Sequence, residues 1–272
     1  MQEKDLEKLH DTLVEILDYI VSVCEENKLT YMLLYGTLLG AKRHGGFIPW
    51  DDDLDIAMPR DDYEKLIKIL NEKKSQLYEL QYEENEKKYY LQFIKIRKKG
   101  TTFIEEIAKG MYENNGIFID IIPLDFAKDK NAFSHKMRLV MTTYLKHILR
   151  YSSYKGAYKG KRGIIGNIAE HIICFPAYIL PKKFLLKRLN KMCKGKCRRE
   201  DAKYIVEYTE ERHKSTNSID IFFPTKTIQF CDKVYKCPNQ VDQYLEIAYG
   251  PTYMQLPPVE QRCTHTPIEL KF

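Results

Sequence analysis

An extended segment with four acidic side chains constrains the fold of this chain most strongly: FIPWDDDLDIAMP, residues 47–59. Its residues alternate, with Leu54, Ile56 and Met58 on one side and Asp53, Asp55 and Ala57 on the other. This period of two predicts a β-strand, although aspartate is disfavoured in strands because it competes for backbone hydrogen bonds. Two ionised carboxylates about 6 to 7 Å apart on one strand face repel each other by about 2 to 3 kcal/mol at an effective dielectric constant of about 20. The segment therefore predicts a bound cation that offsets this repulsion.

A third carboxylate has a matching context, because Asp120 lies between Ile119 and Ile121 in the segment GIFIDIIPLDF. If the two strands are neighbours, Asp53, Asp55 and Asp120 converge. Oxygen ligands favour Mg²⁺ or Mn²⁺ over Zn²⁺, and cations held by shared carboxylates stabilise the oxygens of phosphoryl transfer. The alternative for a D-x-D pair is a surface turn, which the apolar flanks disfavour. These three aspartates are the candidate catalytic and metal-binding residues.

A glycine turn upstream of the acidic strand predicts a phosphate-binding element. Gly36 and Thr37 begin a short helix whose N-terminal amides could hold a phosphate, and Lys42, Arg43 and His44 follow along it. Basic side chains close to the acidic strand would attract an anionic ligand. For His44, a purely structural role is the alternative.

A second basic pair occurs in the segment IKIR, where Lys95 and Arg97 alternate along a predicted strand. Alternate residues share one strand face, so the pair could clamp a pyrophosphate. A solvated basic pair on the surface is the alternative.

The order of patterns predicts an α+β fold with a mixed sheet and a helical second half. Apolar residues at helical spacing predict a helix over the first two dozen residues. Strands are predicted around residues 31–34, 47–58, 89–98, 101–108 and 116–123, with Pro123 closing the last, and Asp61 or Asp62 is expected to cap a helix up to Leu70. We expect a catalytic core over residues 1–127 and a mainly helical part over 128–272, whose segment 244–265 closes the active site.

Composition and charge indicate a folded protein of the cytoplasm. The formal charge of the 272 residues is only +6, and the seven dispersed cysteines indicate a reducing compartment. The N-terminus lacks the basic and apolar regions of a secretory signal. A segment of residues 182–199 contains nine basic residues and no acidic one: Lys182, Lys183, Lys187, Arg188, Lys191, Lys194, Lys196, Arg198 and Arg199.

The residues before this basic segment are apolar but too interrupted for a clean membrane span. An apolar stretch followed by a basic one could lie on the inner face of an anionic membrane or contact a polyanionic acceptor. A smaller basic run, residues 155–162, precedes both. The alternative is a buried helix leading into a solvated basic face.

The segment YGTLLGAKRHGGFIPWDDDLDIAMPRDDYEKL resembles the LicD family, which comprises phosphocholine transferases and fukutin-related proteins within the nucleotidyltransferase superfamily. The resemblance extends, in family order, to KIRKKGTTFIEE, NNGIFIDIIPLDF and YLEIAYGPTYMQLPP, with His265 shortly after. It covers the first half of the chain and the last 35 residues.

The resemblance implies a nucleotidyltransferase-like mixed sheet flanked by helices, in which Asp53, Asp55 and Asp120 bind Mg²⁺. It further implies transfer of a phospho-substituent, usually phosphocholine, from a CDP-activated donor to a glycan hydroxyl, with release of CMP. Asp51 would support the metal ligands without binding the metal. The acceptor would be a cell-surface glycan or its lipid-linked precursor, such as a teichoic acid, lipopolysaccharide or capsule component.

Three aromatic residues complete the candidate site. Trp50 stands beside the aspartates and could receive a cationic choline group, although a role as a core anchor is the preferred interpretation. Tyr249 and Tyr253 would close over the donor or the acceptor.

Several alternatives stay open. CDP-ethanolamine, CDP-ribitol or CDP-glycerol could replace CDP-choline, and a nucleotidyltransferase would leave the nucleoside monophosphate on its acceptor. A polyanion-binding or nucleic-acid-binding protein would explain the basic segment but not the acidic strand, so no nucleic-acid partner is expected. A zinc site could be formed from a dispersed set with weak spacing: Cys193, Cys197, His213, Cys231 and Cys237.

Overall fold

The computed structural model describes residues 2–153, 164–209, 216–262 and 267–272. The helices are α1 (Glu3–Glu26), α2 (Tyr35–His44), α3 (Arg60–Glu72), α4 (Phe133–Ser153), α5 (Ile164–Ile173), α6 (Pro176–Ile179), α7 (Lys182–Lys194), α8 (Ile219–Phe222) and α9 (Val241–Tyr249). The strands are β1 (Met32–Leu33), β2 (Asp55–Pro59), β3 (Tyr78–Gln81), β4 (Ile94–Lys98), β5 (Thr102–Ile104), β6 (Phe118–Ala127), β7 (Tyr204–Val206), β8 (Thr216–Ser218), β9 (Lys226–Phe230), β10 (Lys233–Cys237) and β11 (Glu269–Lys271). The fold is α+β, as the sequence predicts.

A mixed sheet forms the centre of the fold, with the order β1-β2-β6-β4-β3. β2 and β6 are parallel, whereas β1 pairs with β2, β4 with β6 and β3 with β4 in the antiparallel sense. The last three residues of β6 pair with β7, which in turn pairs with β8. The second half of the chain therefore adds strands to the sheet as well as helices.

Helix α1 packs over the sheet with a continuous apolar side, because its buried residues recur at helical spacing: Leu9, Leu13, Ile16, Leu17, Ile20 and Cys24. They belong to a main core that also contains the sheet, α2, α3 and parts of β9, β10 and α9. A second core lies between α4, α6, α7 and the ends of β6 and β7. The main core therefore holds the central strands, and the second core begins where β6 ends at Ala127.

Two local predictions are wrong. Neither Asp61 nor Asp62 caps α3, because the N-cap residue is Pro59 and no side chain caps the helix; Asp62 instead accepts a hydrogen bond from the amide of Thr30. Pro123 does not close β6, which continues to Ala127. Pairing with β4 stops at Ile121, so the missing amide hydrogen of Pro123 costs no ladder hydrogen bond on that side.

Over the described ranges, no helix is both long enough and apolar enough to cross a bilayer.

Candidate active site

Asp55 and Asp120 are paired residues of the parallel strands β2 and β6. On its other side, Asp120 is paired with Lys95 of β4. One row across three adjacent strands therefore carries two carboxylates and an ammonium group. The convergence expected of Asp55 and Asp120 follows from this register, because directly paired residues point to the same face of a sheet.

Asp53 lies in the loop before β2, because the strand begins at Asp55 and not earlier as the alternation predicts. The loop is shaped by a turn in which the amide of Asp51 donates to the carbonyl of Ile48. It is also held by His10 of α1, whose Nε2 lies 2.7 Å from the carbonyl oxygen of Asp51. The imidazole of His10 stacks on Phe47, with ring centroids 3.9 Å apart.

The pKa of Asp55 is raised well above its usual range. The residue keeps some solvent contact, but desolvation of the carboxyl group is the largest cause, followed by repulsion from Asp53 and Asp120. Lys95 opposes this shift, and Asp51 adds to it. The site therefore carries an excess of negative charge around a desolvated carboxyl group, which favours binding of a cation.

Lys95 neutralises part of this charge. Its Nζ lies 2.7 Å from Oδ1 and 3.0 Å from Oδ2 of Asp120, and 3.5 Å from the centroid of the Phe118 ring. The side chain is almost fully buried, at 5% exposure. Lys95 thus forms a buried ion pair with Asp120.

Arg97 shares the strand face of Lys95, and both side chains contact the ring of Phe118. However, Arg97 is only 2% exposed. Its Nε donates to Gln81 and its Nη1 to the carbonyl of Gly116, both at hydrogen-bonding distance. Arg97 is therefore not exposed to a ligand as a phosphate clamp would require. Instead, its hydrogen bonds connect β4 to Gln81 of β3 and to Gly116, which precedes β6.

Gly36 and Thr37, at the start of α2, contact the acidic segment. The hydroxyl of Thr37 accepts a hydrogen bond from the amide of Asp55 at 2.8 Å. A Cβ atom at Gly36 would lie 2.9 Å from Oδ2 of Asp51, so glycine permits this carboxylate to approach the helix start. The Asp51 carboxylate therefore lies beside Gly36 in the first turn of α2, the turn at which the sequence predicts a phosphate.

Lys42, Arg43 and His44 occupy the last turn of α2, about 9 Å along the helix axis from Thr37. Lys42 Nζ pairs with Asp242 at 2.8 Å. Arg43 donates from Nη1 to the carbonyls of Tyr253 and Gln255, at 2.9 and 3.1 Å, and from Nε to His44. Lys42 and Arg43 thus connect α2 to the C-terminal part of the chain. The structure does not bring these basic side chains to the helix start with Gly36 and Thr37.

The aromatic candidates lie around this C-terminal part. The guanidinium group of Arg262 lies 4.4 Å from the centroid of the half-buried Trp50 ring, which also packs against the main core. Tyr253 donates from its hydroxyl to Asp242 at 2.6 Å, and Tyr249 is exposed. The residues His265 and Cys263 fall outside the described residues.

Sequence reasoning missed three contributors to the site. His10 positions the Asp51 loop, Arg262 covers Trp50, and the buried carboxylate of Glu207 accepts hydrogen bonds from Tyr35 and Tyr244. Tyr35 has a left-handed backbone conformation, with φ of 49°, immediately before Gly36. The hydrogen-bonded pairs are separated by 37 to 172 positions along the chain, and no local pattern indicates such contacts.

The proposed zinc residues are not assembled within the described part of the chain. Cys193 and Cys237 are buried, Cys197 and Cys231 are partly buried, and His213 falls outside the described residues. Among the described residues, the ligand atoms of His147, Glu170 and Cys174 all lie within 4.8 Å of one another. The carboxylate oxygens of Asp53, Asp55 and Asp120 are not all within that distance. An ion pair of 3.1 Å between His147 and Glu170 accounts for their proximity, and burial raises the pKa of the Cys174 thiol.

Comparison of the sequence with known proteins identifies a family and several relatives. Residues 28–161 match the family described as LicD/FKTN/FKRP, nucleotidyltransferase domain. The chain is 26% identical over 280 residues to the lipopolysaccharide cholinephosphotransferase LicD of Haemophilus influenzae, covering 97% of both chains. It is 46% identical over 50 residues to the human ribitol 5-phosphate transferase FKRP, which is 18% of this chain and 10% of that protein. An uncharacterised protein of Rickettsia prowazekii is 38% identical over 72 residues, or 26% of this chain and 27% of that protein.

These relationships define a transferase of phosphorus-containing groups. The chain belongs to the LicD family.

Proposed function

We propose that this protein transfers phosphocholine from CDP-choline to a hydroxyl group of a cell-surface glycan or of its lipid-linked precursor, with release of CMP. The carrying observation is the register that pairs Asp55 with Asp120 beside Asp53. Similarity to the cholinephosphotransferase of H. influenzae along nearly the whole chain supports the phosphocholine cargo.

Asp53, Asp55 and Asp120 are the residues that would hold Mg²⁺, with Mn²⁺ as the alternative. The donor set fits a hard cation, because it consists of carboxylate oxygens and because repulsion around the desolvated Asp55 is relieved by a positive charge. When bound, the cation stabilises the negative charge of the reacting phosphate.

The side chains of the protein have separate roles in this proposal. Asp120 accepts the proton of the acceptor hydroxyl group. The oxygen of that hydroxyl group forms the new bond to phosphorus. The bond between that phosphorus and the CMP oxygen breaks, and CMP leaves with the electron pair. Lys95 supplies a positive charge beside Asp120, and Thr37 fixes the backbone of Asp55.

The catalytic core in this proposal comprises residues 1–127, and the segment 244–265 of the mainly helical part 128–272 closes over the donor or acceptor. The bonds from Arg43 to the carbonyls of Tyr253 and Gln255 support a contact between the two parts. We place the reaction in the cytoplasm. The six described cysteines that are free thiols support a reducing compartment.

A panel of donors tests the assignment. CDP-choline, CDP-ethanolamine, CDP-ribitol and CDP-glycerol are compared by thermal shift, each with and without Mg²⁺ and against CMP. We expect the largest Mg²⁺-dependent shift with CDP-choline. The similarity to a ribitol 5-phosphate transferase makes CDP-ribitol the second candidate. If no donor raises the melting temperature more than CMP does, the donor assignment is wrong.

Product mass separates the proposed reaction from nucleotidyl transfer, and retention on DNA tests for a polyanion-binding protein. A gain of one phosphocholine on the acceptor, with free CMP, supports the proposal, whereas a nucleotide adduct identifies a nucleotidyltransferase. Retention on DNA that is sensitive to salt and unaffected by Asp53→Ala would instead indicate a polyanion-binding protein.

A further inference from the structure

An apolar surface of seven side chains lies at the junction of α5, α6 and α7. Their exposed fractions range from 37% to 71%: Ile172, Ile173, Phe175, Tyr178, Ile179, Leu180 and Phe184. They fall within thirteen consecutive positions of the chain. Large apolar side chains concentrated in this way on a surface mark an interaction site.

The junction is anchored to the protein from its inner side. Cys174 and Ala177 are buried, and Ala177 belongs to the second core together with Leu185 and Leu186 of α7. The carbonyl of Ile173 accepts a hydrogen bond from the Tyr144 hydroxyl of α4. The apolar side chains therefore project from a fixed turn and cannot all retreat into the core.

The outer face of α7 continues this surface with positive charge. The buried residues of α7 are Leu185, Leu186, Leu189 and Cys193, so Phe184 and the exposed basic residues lie on the opposite side. Four of these basic residues have no carboxylate within ion-pairing distance among the residues that the structure describes: Lys183, Lys187, Arg188 and Lys191. Lys183 directly precedes Phe184, and the other three stand about one to two turns beyond it along the helix.

We infer that this junction is a docking surface for an anionic lipid bilayer, with the α5–α6 side chains inserted at the headgroup boundary and α7 over the phosphates. Apolar residues beside Lys and Arg are the combination that binds an anionic membrane interface. The amphipathic Tyr178 suits the same boundary. A second copy of the chain fits less well, since symmetrical contact would bring the unpaired basic residues of two α7 helices together.

Flotation with vesicles tests the inference on the full-length protein. The probes are vesicles of phosphatidylcholine alone and of phosphatidylcholine mixed with phosphatidylglycerol. We expect binding to the mixed vesicles only, and binding that weakens with salt. The apolar variant is Phe175→Ser/Ile179→Ser/Phe184→Ser, and the basic variant is Lys183→Gln/Lys187→Gln/Lys191→Gln.

Each variant has a matched control elsewhere on the surface. Leu77→Ser/Val234→Ser removes exposed apolar side chains outside the junction. Lys68→Gln/Lys73→Gln/Lys74→Gln removes three exposed lysines in and after α3. We expect partitioning to fall at least about tenfold in the apolar variant and roughly a hundredfold in the basic variant, with both controls unchanged. Circular dichroism and melting temperature establish that all variants are folded.

Insertion is measured separately with Ile179→Trp. Brominated acyl chains should quench the fluorescence added at residue 179, in excess of any effect on Trp50 in the unsubstituted protein. Equal flotation of the apolar variant and the unsubstituted protein would overturn the inference. So would self-association in analytical ultracentrifugation that the apolar variant abolishes without any vesicle binding by the unsubstituted protein. Neither outcome depends on the donor, so the proposed function is tested independently.

Discussion

Asp120 is the central residue of a three-strand row, with Asp55 paired to it in the parallel sense and Lys95 Nζ 2.7 Å from its Oδ1. Of the charges that act on Asp55, Lys95 lowers its pKa, whereas Asp53, Asp120 and Asp51 raise it. This excess of negative charge lowers the stability of the folded protein unless a cation binds there, and the first two predictions follow from it.

Replacing Asp55 by Asn should stabilise the protein when no metal is present and inactivate it. The substitution removes a desolvated charge that its acidic neighbours repel, so the melting temperature in EDTA should rise. Turnover should fall at least about a hundredfold. Mg²⁺ should raise the melting temperature of the unsubstituted protein but not that of Asp55→Asn. A variant that keeps full turnover would exclude Asp55 from the metal site.

The stabilisation by Asp55→Asn should depend on pH. Because the pKa of Asp55 is raised in the folded state, ionisation of this group costs stability as pH rises from the usual aspartate range through the raised value. Between about pH 8 and about pH 5, the difference in melting temperature between the variant and the unsubstituted protein in EDTA should therefore shrink as pH falls. A difference that stays constant over this interval would contradict the origin assigned to it.

Gly36→Ala should disturb the acidic loop with little effect on the fold. The new Cβ would meet Oδ2 of Asp51 at 2.9 Å, while alanine itself suits a helix better than glycine does. We expect turnover to fall while the melting temperature changes little. A double-mutant cycle with Asp51→Ala measures the contact, because the second substitution removes the atom that clashes. Additive effects on the free energy of unfolding would show that the two positions do not interact.

The buried ion pair between Arg60 and Asp125 should be a large contributor to stability. Arg60 of α3 donates to both carboxylate oxygens of Asp125 in β6, at 2.8 and 2.7 Å, and both residues are buried. Asp125→Ala should lower the free energy of unfolding by about 3 to 5 kcal/mol, because it leaves a buried charge without its partner. Urea denaturation measures this change.

Two further variants define the cause of that loss. Lys194→Gln breaks an exposed pair with Glu64 and should cost no more than about 1 kcal/mol. Arg60→Met/Asp125→Leu removes both buried charges and should recover a large part of the stability that Asp125→Ala loses. If the double variant is less stable than Asp125→Ala, the loss does not come from the unpaired arginine.

Local pattern predicted the N-terminal helix and the two strand segments that contain the candidate carboxylates. The apolar period of α1, the strand β2 and the Asp120 strand all follow from residues within one segment, and the structure contains each of them. The sequence predicted that Asp120 lies next to Asp55 only if their two strands are neighbours, because local pattern does not give the strand order. β2 begins at Asp55, later than the predicted start at residue 47, and the loop before it contacts His10, which lies 41 positions from Asp51.

The basic candidates show where local reasoning stops. Lys42 and Arg43 were predicted to face a phosphate, but their partners Asp242, Tyr253 and Gln255 lie about two hundred positions away. Arg97 lies on the predicted strand face, but its side chain is buried and donates hydrogen bonds to Gln81 and to the carbonyl of Gly116. The identity of a basic residue predicts which anion it could bind, but only the packing determines whether its side chain reaches solvent.

The hydrogen bonds at the two ends of α2 make this helix a rigid connection between distant parts of the chain. Its first turn holds the backbone of Asp55 through Thr37, and its last turn grips the carbonyls of Tyr253 and Gln255 through Arg43. Because one ten-residue helix makes both contacts, we expect a displacement of the C-terminal loop to shift the strand that begins at Asp55. We therefore expect the position of the loop that contains Tyr253 and Gln255 to affect the distances between the carboxylates.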